Sequence, residues 1–117
     1  MLTKLTEAEC RAAIEHGEFS AEIINEAPTV VLALTQSWCP QWTRMRPWLE
    51  ELGDKGVSCR YVEYDREPFF EDFRSFKESV FHNEEVPYLR YYRDGRLVKE
   101  SNYMDKPGFL RILFPKT

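Results

Sequence analysis

Apolar and polar positions along this chain follow two rhythms, and the switches between them mark its elements. Thr29-Val30-Val31-Leu32-Ala33-Leu34-Thr35 is apolar at successive positions, which fits a central strand covered on both faces. After it, Trp42, Met45, Trp48, Leu49 and Leu52 recur at helical spacing, predicting a helix from Pro40 to about Leu52 that stops at Gly53. Pro47 lies inside that helix and leaves the Thr43 carbonyl without its usual donor. Val57 to Tyr64 reads as a second strand. Phe69, Phe73, Phe76 and Val80 then give an amphipathic helix over 68–81. Val86–Tyr92 and Arg96–Glu100 flank Asp94-Gly95, a strong hairpin signal.

Capping chemistry sets the ends. Thr6-Glu7-Ala8-Glu9 has the form of a capping box and opens a helix that runs to about His16, with Gly17 as the stop. A short helical piece is expected around Ser20–Asn25. Asp105 caps a closing helix whose buried face is Phe109, Leu110, Ile112 and Leu113. A strand–helix–strand unit followed by an antiparallel hairpin gives an α/β architecture, a four-stranded mixed sheet with helices on both faces. The length of 117 residues suits one domain, residues 1–117.

Composition narrows the function. A net charge of −4 argues against a nucleic-acid binder, which needs a basic surface to neutralise phosphates. No apolar run approaches the length of a membrane span, so no membrane partner is expected. The segment from Met1 to Glu7 lacks the profile of a secretory signal, and a cytoplasmic address is the expectation. Cys10, Cys39 and Cys59 cannot all pair, and His16 and His82 are not spaced to complete a metal site with them. Neither a metal nor another cofactor is expected.

The candidate chemistry lies in Trp38-Cys39-Pro40-Gln41-Trp42, at the turn from strand into helix. A thiol at a helix N-terminus faces unpaired N–H groups and the positive end of the helix dipole, which favours the nucleophilic thiolate. Cys39 is therefore the candidate nucleophile, in a partly exposed position. Cys59 lies near the start of its strand, about 15–20 Å from Cys39 at strand rise, too far for a disulfide. Cys10 reads as a small buried hydrophobe. Trp42, one turn after Cys39, either packs or offers a flat surface to a partner; beside a reactive thiol it is expected to be largely exposed.

Trp38-Cys39, Pro47 eight residues after the cysteine, Val86-Pro87 before the third strand and Asp94-Gly95 stand in the order and register of the thioredoxin family, which the chain resembles over nearly its whole length. The resemblance implies a thioredoxin fold and a cis bond at Val86-Pro87 beside the active cysteine. It further implies a surface of Trp38, Pro40, Trp42, Val86 and Pro87 that holds an extended partner segment. The chain also departs from the family. Trp38-Cys39-Pro40-Gln41-Trp42 replaces Trp-Cys-Gly-Pro-Cys, so the resolving thiol is absent. The family's buried aspartate falls at Ala33 and its partner lysine near Tyr61. The Thr-Val-Pro strand and the Gly-Gly pair of glutaredoxins are missing, so no glutathione site carries over. Two functions follow: a monothiol thiol–disulfide oxidoreductase, acting on a protein or small-molecule disulfide and resolved by an external thiol such as glutathione, or a non-catalytic binding module.

Overall fold

The computed structural model describes residues 2–115, with residues 53 and 54 as backbone only. The chain runs β1 (Leu2–Lys4), α1 (Glu7–His16), α2 (Ala21–Ile24), β2 (Thr29–Thr35), α3 (Pro40–Glu50) and β3 (Val57–Glu63). It continues with α4 (Phe70–Ser79), β4 (Tyr88–Arg93), β5 (Arg96–Ser101) and α5 (Lys106–Leu113). The strands form one sheet in the order β1-β3-β2-β4-β5. β1, β3 and β2 are parallel, whereas β4 is antiparallel to β2 and β5 antiparallel to β4.

Five strands replace the expected four. The addition is β1, where Leu2 lies opposite Cys59 and Lys4 opposite Tyr61. Three residues with a single buried side chain, Leu2, are too few to display a period-2 pattern. Their strand character comes from the free edge of β3.

β2 occupies the middle of the sheet and is covered on both sides, as its continuous apolar run requires. Val30, Leu32 and Leu34 join the core built with α1, α2 and α4. Val31 and Ala33 face the opposite way, into the core built with α3 and α5. The β4–β5 hairpin closes through Asp94 (φ +50°) and Gly95 (φ +78°), the left-handed pair that a two-residue turn needs. Gly95 also abuts the side chain of Asn25, so any Cβ there would collide with it.

Two helices end differently from expectation. After α3 a 3-10 turn, Glu51–Lys55, carries the chain to Gly56, whose φ of +74° makes the stop. α4 is shorter than 68–81, and Val80 is exposed at its end while Lys77 takes the buried place on that face. No helix among the described residues is long and apolar enough to cross a membrane.

Candidate functional site

Cys39 is the N-cap of α3, with extended backbone (φ −71°, ψ 117°) and Pro40 in the first turn. Its carbonyl accepts from the Thr43 amide at 3.1 Å and from the Thr43 hydroxyl at 3.2 Å, which fixes the first turn below the thiol. The site lies at the C-terminal end of β2, where the parallel strands of an open sheet leave a crevice.

The loop leading into Cys39 is held by groups that the sequence pattern does not reveal. The Asp65 carboxylate accepts from both the amide and the hydroxyl of Ser37, at 2.7 and 2.6 Å. Gln36 donates to the Tyr64 hydroxyl at 3.3 Å and accepts from the Trp38 indole N–H at 2.6 Å. Trp38 is thereby held on the surface, 64 % exposed.

On its other side Cys39 meets the loop before β4. The Val86–Pro87 peptide bond is cis, and the thiol donates to the Val86 carbonyl with Sγ 3.6 Å from the oxygen. Val86 is half-buried and Pro87 buried. Cys39 itself is only 3 % exposed, less open than a strand-to-helix junction alone suggests, because this loop folds over it.

Trp42 corrects the expectation most sharply. It is 1 % exposed and packs into the α3/α5 core, so it presents no flat face to a partner. Its ring lies 5.7 Å from that of Tyr61, and its indole N–H donates to Glu63 at 2.8 Å. Arg46 joins the group, donating to the same Glu63 oxygen at 3.0 Å and to the Tyr61 hydroxyl at 2.9 Å, with its guanidinium 4.7 Å from the Tyr61 ring centre. Ala33 and Tyr61 are neighbours in the β2–β3 register. Where the family pattern has an aspartate, a lysine and a second thiol, this chain has Ala33, Tyr61 and Trp42. A shallow groove of about 380 Å³ beside α3 is lined by Ser37, Thr43, Arg46, Glu63 and Arg66 among others. The charge of Arg46 is spent on Glu63 and is not turned toward the thiol.

The apolar stripe of α3 that Trp42 heads points to burial, against the exposure expected of a residue beside a reactive thiol. The partnership of Glu63 and Arg46 was not legible, because the two stand 17 positions apart on different elements.

The other thiols lie apart from this chemistry. All three cysteines are free. Burial pushes Cys10 up to about 12, with Glu67 and Glu9 adding to the effect and Arg60 and Lys4 opposing it. Burial likewise pushes Cys59 up to about 12. Cys59 is paired in register with Val31, far back along β2 from Cys39. Among the described residues, no group of three or more His, Cys, Asp or Glu side chains is placed to hold a metal ion.

No family model matches the chain, and no curated protein matches it. Solved structures do. Oxidised thioredoxin O1 from Arabidopsis thaliana superposes with a TM-score of 0.68 at 18 % identity, covering 96 % of this chain and 94 % of its own. Thioredoxin O2 from the same plant gives 0.67 at 19 % identity, covering 98 % and 95 %. Oxidised thioredoxin from Plasmodium falciparum gives 0.66 at 15 % identity, covering 97 % and 95 %. Likeness over nearly the full length of both chains, together with the strand order described above, makes this a protein of the thioredoxin fold.

Proposed function

We propose that the chain is a monothiol thiol–disulfide exchange protein with Cys39 as its nucleophile. The supporting observation is the placement of Cys39, at the N-cap of α3 and against the Val86 carbonyl, beside an exposed Trp38. In this reading the Cys39 thiolate attacks one sulfur of a protein or small-molecule disulfide, and the other sulfur leaves as a thiolate. An external thiol such as glutathione then attacks the Cys39 sulfur of the mixed disulfide and releases the substrate's second thiolate, and a second external thiol attacks the outer sulfur left on Cys39 and regenerates the Cys39 thiolate. The substrate disulfide is reduced by two electrons, and two external thiols are oxidised to a disulfide. Resolution is intermolecular because Trp42 fills the place of the second thiol and Cys10 and Cys59 are buried elsewhere. Trp38, Pro40, Val86 and Pro87 line the approach to the sulfur in this proposal, and the setting is cytoplasmic.

A second reading is favoured by one specific observation, the 3 % exposure of Cys39. In it the fold is a binding module that holds an extended segment on Trp38 and the Val86-Pro87 edge without using the thiol. The two readings separate in a trapping experiment on the full chain. Lysate is incubated with the wild-type protein and with Cys39→Ser, alkylated, and resolved without reductant. Exchange predicts mixed disulfides that vanish with Cys39→Ser and on adding reductant. Partners retained equally by both proteins, with no reducible adduct, favour the binding module and overturn exchange.

A further inference from the structure

The loop joining α4 to β4 is tied at three points by side chains that the exchange chemistry does not use. Lys77, in the last turn of α4, is wholly buried, and its Nζ donates to the Asn83 carbonyl at 2.8 Å. The side-chain amides of Asn83 and Asn102 pair head to tail, with Asn83 Nδ2 on Asn102 Oδ1 at 3.1 Å and Asn102 Nδ2 on Asn83 Oδ1 at 3.0 Å. Asn102 Nδ2 uses its second hydrogen on the Pro87 carbonyl at 3.1 Å. Asn83 Oδ1 also accepts from the Glu85 amide at 3.0 Å. His82 keeps a left-handed backbone (φ +57°) within the loop, a conformation that a non-glycine residue holds only under restraint.

These bonds bracket one residue that matters: Asn83 holds the Glu85 amide before Val86, and Asn102 holds the Pro87 carbonyl after it. The Val86 carbonyl, next along the chain from the Pro87 carbonyl that Asn102 grips, accepts the Cys39 thiol. With Pro87 buried and its carbonyl held, the Val86 oxygen has little freedom to swing away from the sulfur. A strand end needs only backbone pairing and packing to be stable. An amide pair aimed at this turn from the far end of the β5 strand is therefore informative about the carbonyl it fixes.

We propose that Asn83 and Asn102 are positioning residues: their paired amides hold the Val86 carbonyl over the Cys39 thiol and keep the sulfur capped until the loop opens. This inference rests on the exchange reading for its purpose, though the lock itself is measurable without exchange. Lys77 is the anchor on the helix side, fixing Asn83 to α4. A substrate disulfide must reach Sγ through the space that this loop closes, so the rate at which the loop opens sets the rate at which Cys39 reacts.

The test uses the full-length protein and two readouts. The first is the rate of Cys39 alkylation by iodoacetamide. The second is the S–H stretching band of Cys39, isolated as the difference between each protein and the same protein carrying Cys39→Ser. A hydrogen-bonded thiol absorbs at lower frequency than a free one, and a change in global stability alone leaves that band in place. Removing the Asn102 amide deletes bonds of ordinary net strength, so Asn102→Ala should raise the alkylation rate by about tenfold. Its S–H band should move to the position of a free thiol. An unmoved band with an unchanged rate overturns the lock. Should Asn102→Ala not fold, Lys77→Met decides by the same readouts, because it keeps the side-chain volume and removes the ammonium, with its bond to the Asn83 carbonyl and its place over the Tyr88 ring. If the band moves as expected but no mixed disulfides are trapped, the exchange reading falls and the lock stands. If adducts form and the band does not move, the lock alone falls.

Discussion

At the scale of single residues, Lys77 and Trp42 carry the clearest consequences. Burial pushes the Lys77 ammonium down from 10.5 to about 8, against the opposing pull of Glu78, Glu85 and Glu84. Between those values the unfolded chain holds a proton that the folded chain has lost, so stability rises with pH by up to about 1.4 kcal/mol per unit. Cys10 and Cys59 act in the opposite sense. Their folded values near 12 lie above the ordinary 9.0, so above pH 9 the unfolded chain releases protons that the folded chain keeps. Two thiols outweigh one lysine, and stability measured by urea unfolding should climb from pH 8, peak near pH 9 and then decline. Lys77→Met should abolish the climb and leave the decline; a climb that persists in the variant refutes the assignment. Trp42 makes a different point. Replacing it with cysteine puts a second thiol three residues after Cys39 but removes a fully buried indole and one of the donors to Glu63. Trp42→Cys should cost about 3 kcal/mol or more, by analogy with other large-to-small core substitutions. Denaturant titration of the reduced variant would show it, and a loss below 1 kcal/mol (about the scale of a surface change) would contradict the burial described here.

At the scale of elements, the start of α1 shows how a local motif is enlisted by the tertiary structure. Thr6 accepts from the Glu9 amide at 3.1 Å, and Glu9 accepts from the Thr6 amide at 2.8 Å, the reciprocal bonds of a capping box. Glu9 also holds Arg60 of β3 through both carboxylate oxygens, at 2.8 and 3.0 Å. Burial alone would raise the Glu9 carboxyl, but the Thr6 amide and Arg60 outweigh it and hold it below the usual value of 4.5. A lowered folded value gives stability that is present above the unfolded value and lost as pH falls through the folded one. Thr6→Ala should cost about 1 kcal/mol, the ordinary worth of a cap. Glu9→Gln should cost more, about 2 kcal/mol, because a largely buried guanidinium loses the nearer of its two carboxylate partners, Glu9 at 2.8 Å against Glu26 at 3.4 Å. It should also flatten the acid limb of the stability curve, as read from urea unfolding between pH 3 and 6 (about the span over which such a carboxyl titrates). Equal costs for the two variants would mean that the link to β3 contributes nothing.

At the scale of the whole molecule, the sheet puts Cys10 on one face and Cys39 and Cys59 on the other, with Cys59 set back along the β2–β3 ladder beside Val31. Cys10 and Cys59 are buried on opposite faces of the sheet, in the α1/α4 core and the α3/α5 core. In the proposed exchange, release of a mixed disulfide at Cys39 by an external thiol lacks the effective concentration that an intramolecular thiol would supply. Insulin reduction driven by dithiothreitol should barely exceed the rate with dithiothreitol alone. Turnover well above that background, abolished by Cys59→Ala or Cys10→Ala, would show that one of these thiols reaches the site after all.

Sequence by itself determined the elements whose signals are local. The continuous apolar run of β2, the stripe of α3, the box at Thr6–Glu9 and the Asp94-Gly95 turn each contain their physical cause within a few residues, and each fold element is where that cause puts it. The placement of Cys39 at the start of α3 was legible for the same reason, because a strand followed by Pro40 leaves the cysteine as the N-cap. Tertiary structure alone decided what surrounds that cysteine. β1 exists because β3 offers it an edge, Trp42 is buried because Glu63 and Arg46 complete its polar end, and Lys77 is tolerated in the core because the Asn83 carbonyl receives it. The Val86 carbonyl reaches the Cys39 sulfur across 47 residues of chain, by way of a loop that Asn102 holds from just beyond β5. Such partnerships join groups distant in sequence through shape and hydrogen-bond geometry, and a one-dimensional pattern of apolar and polar positions carries no record of them.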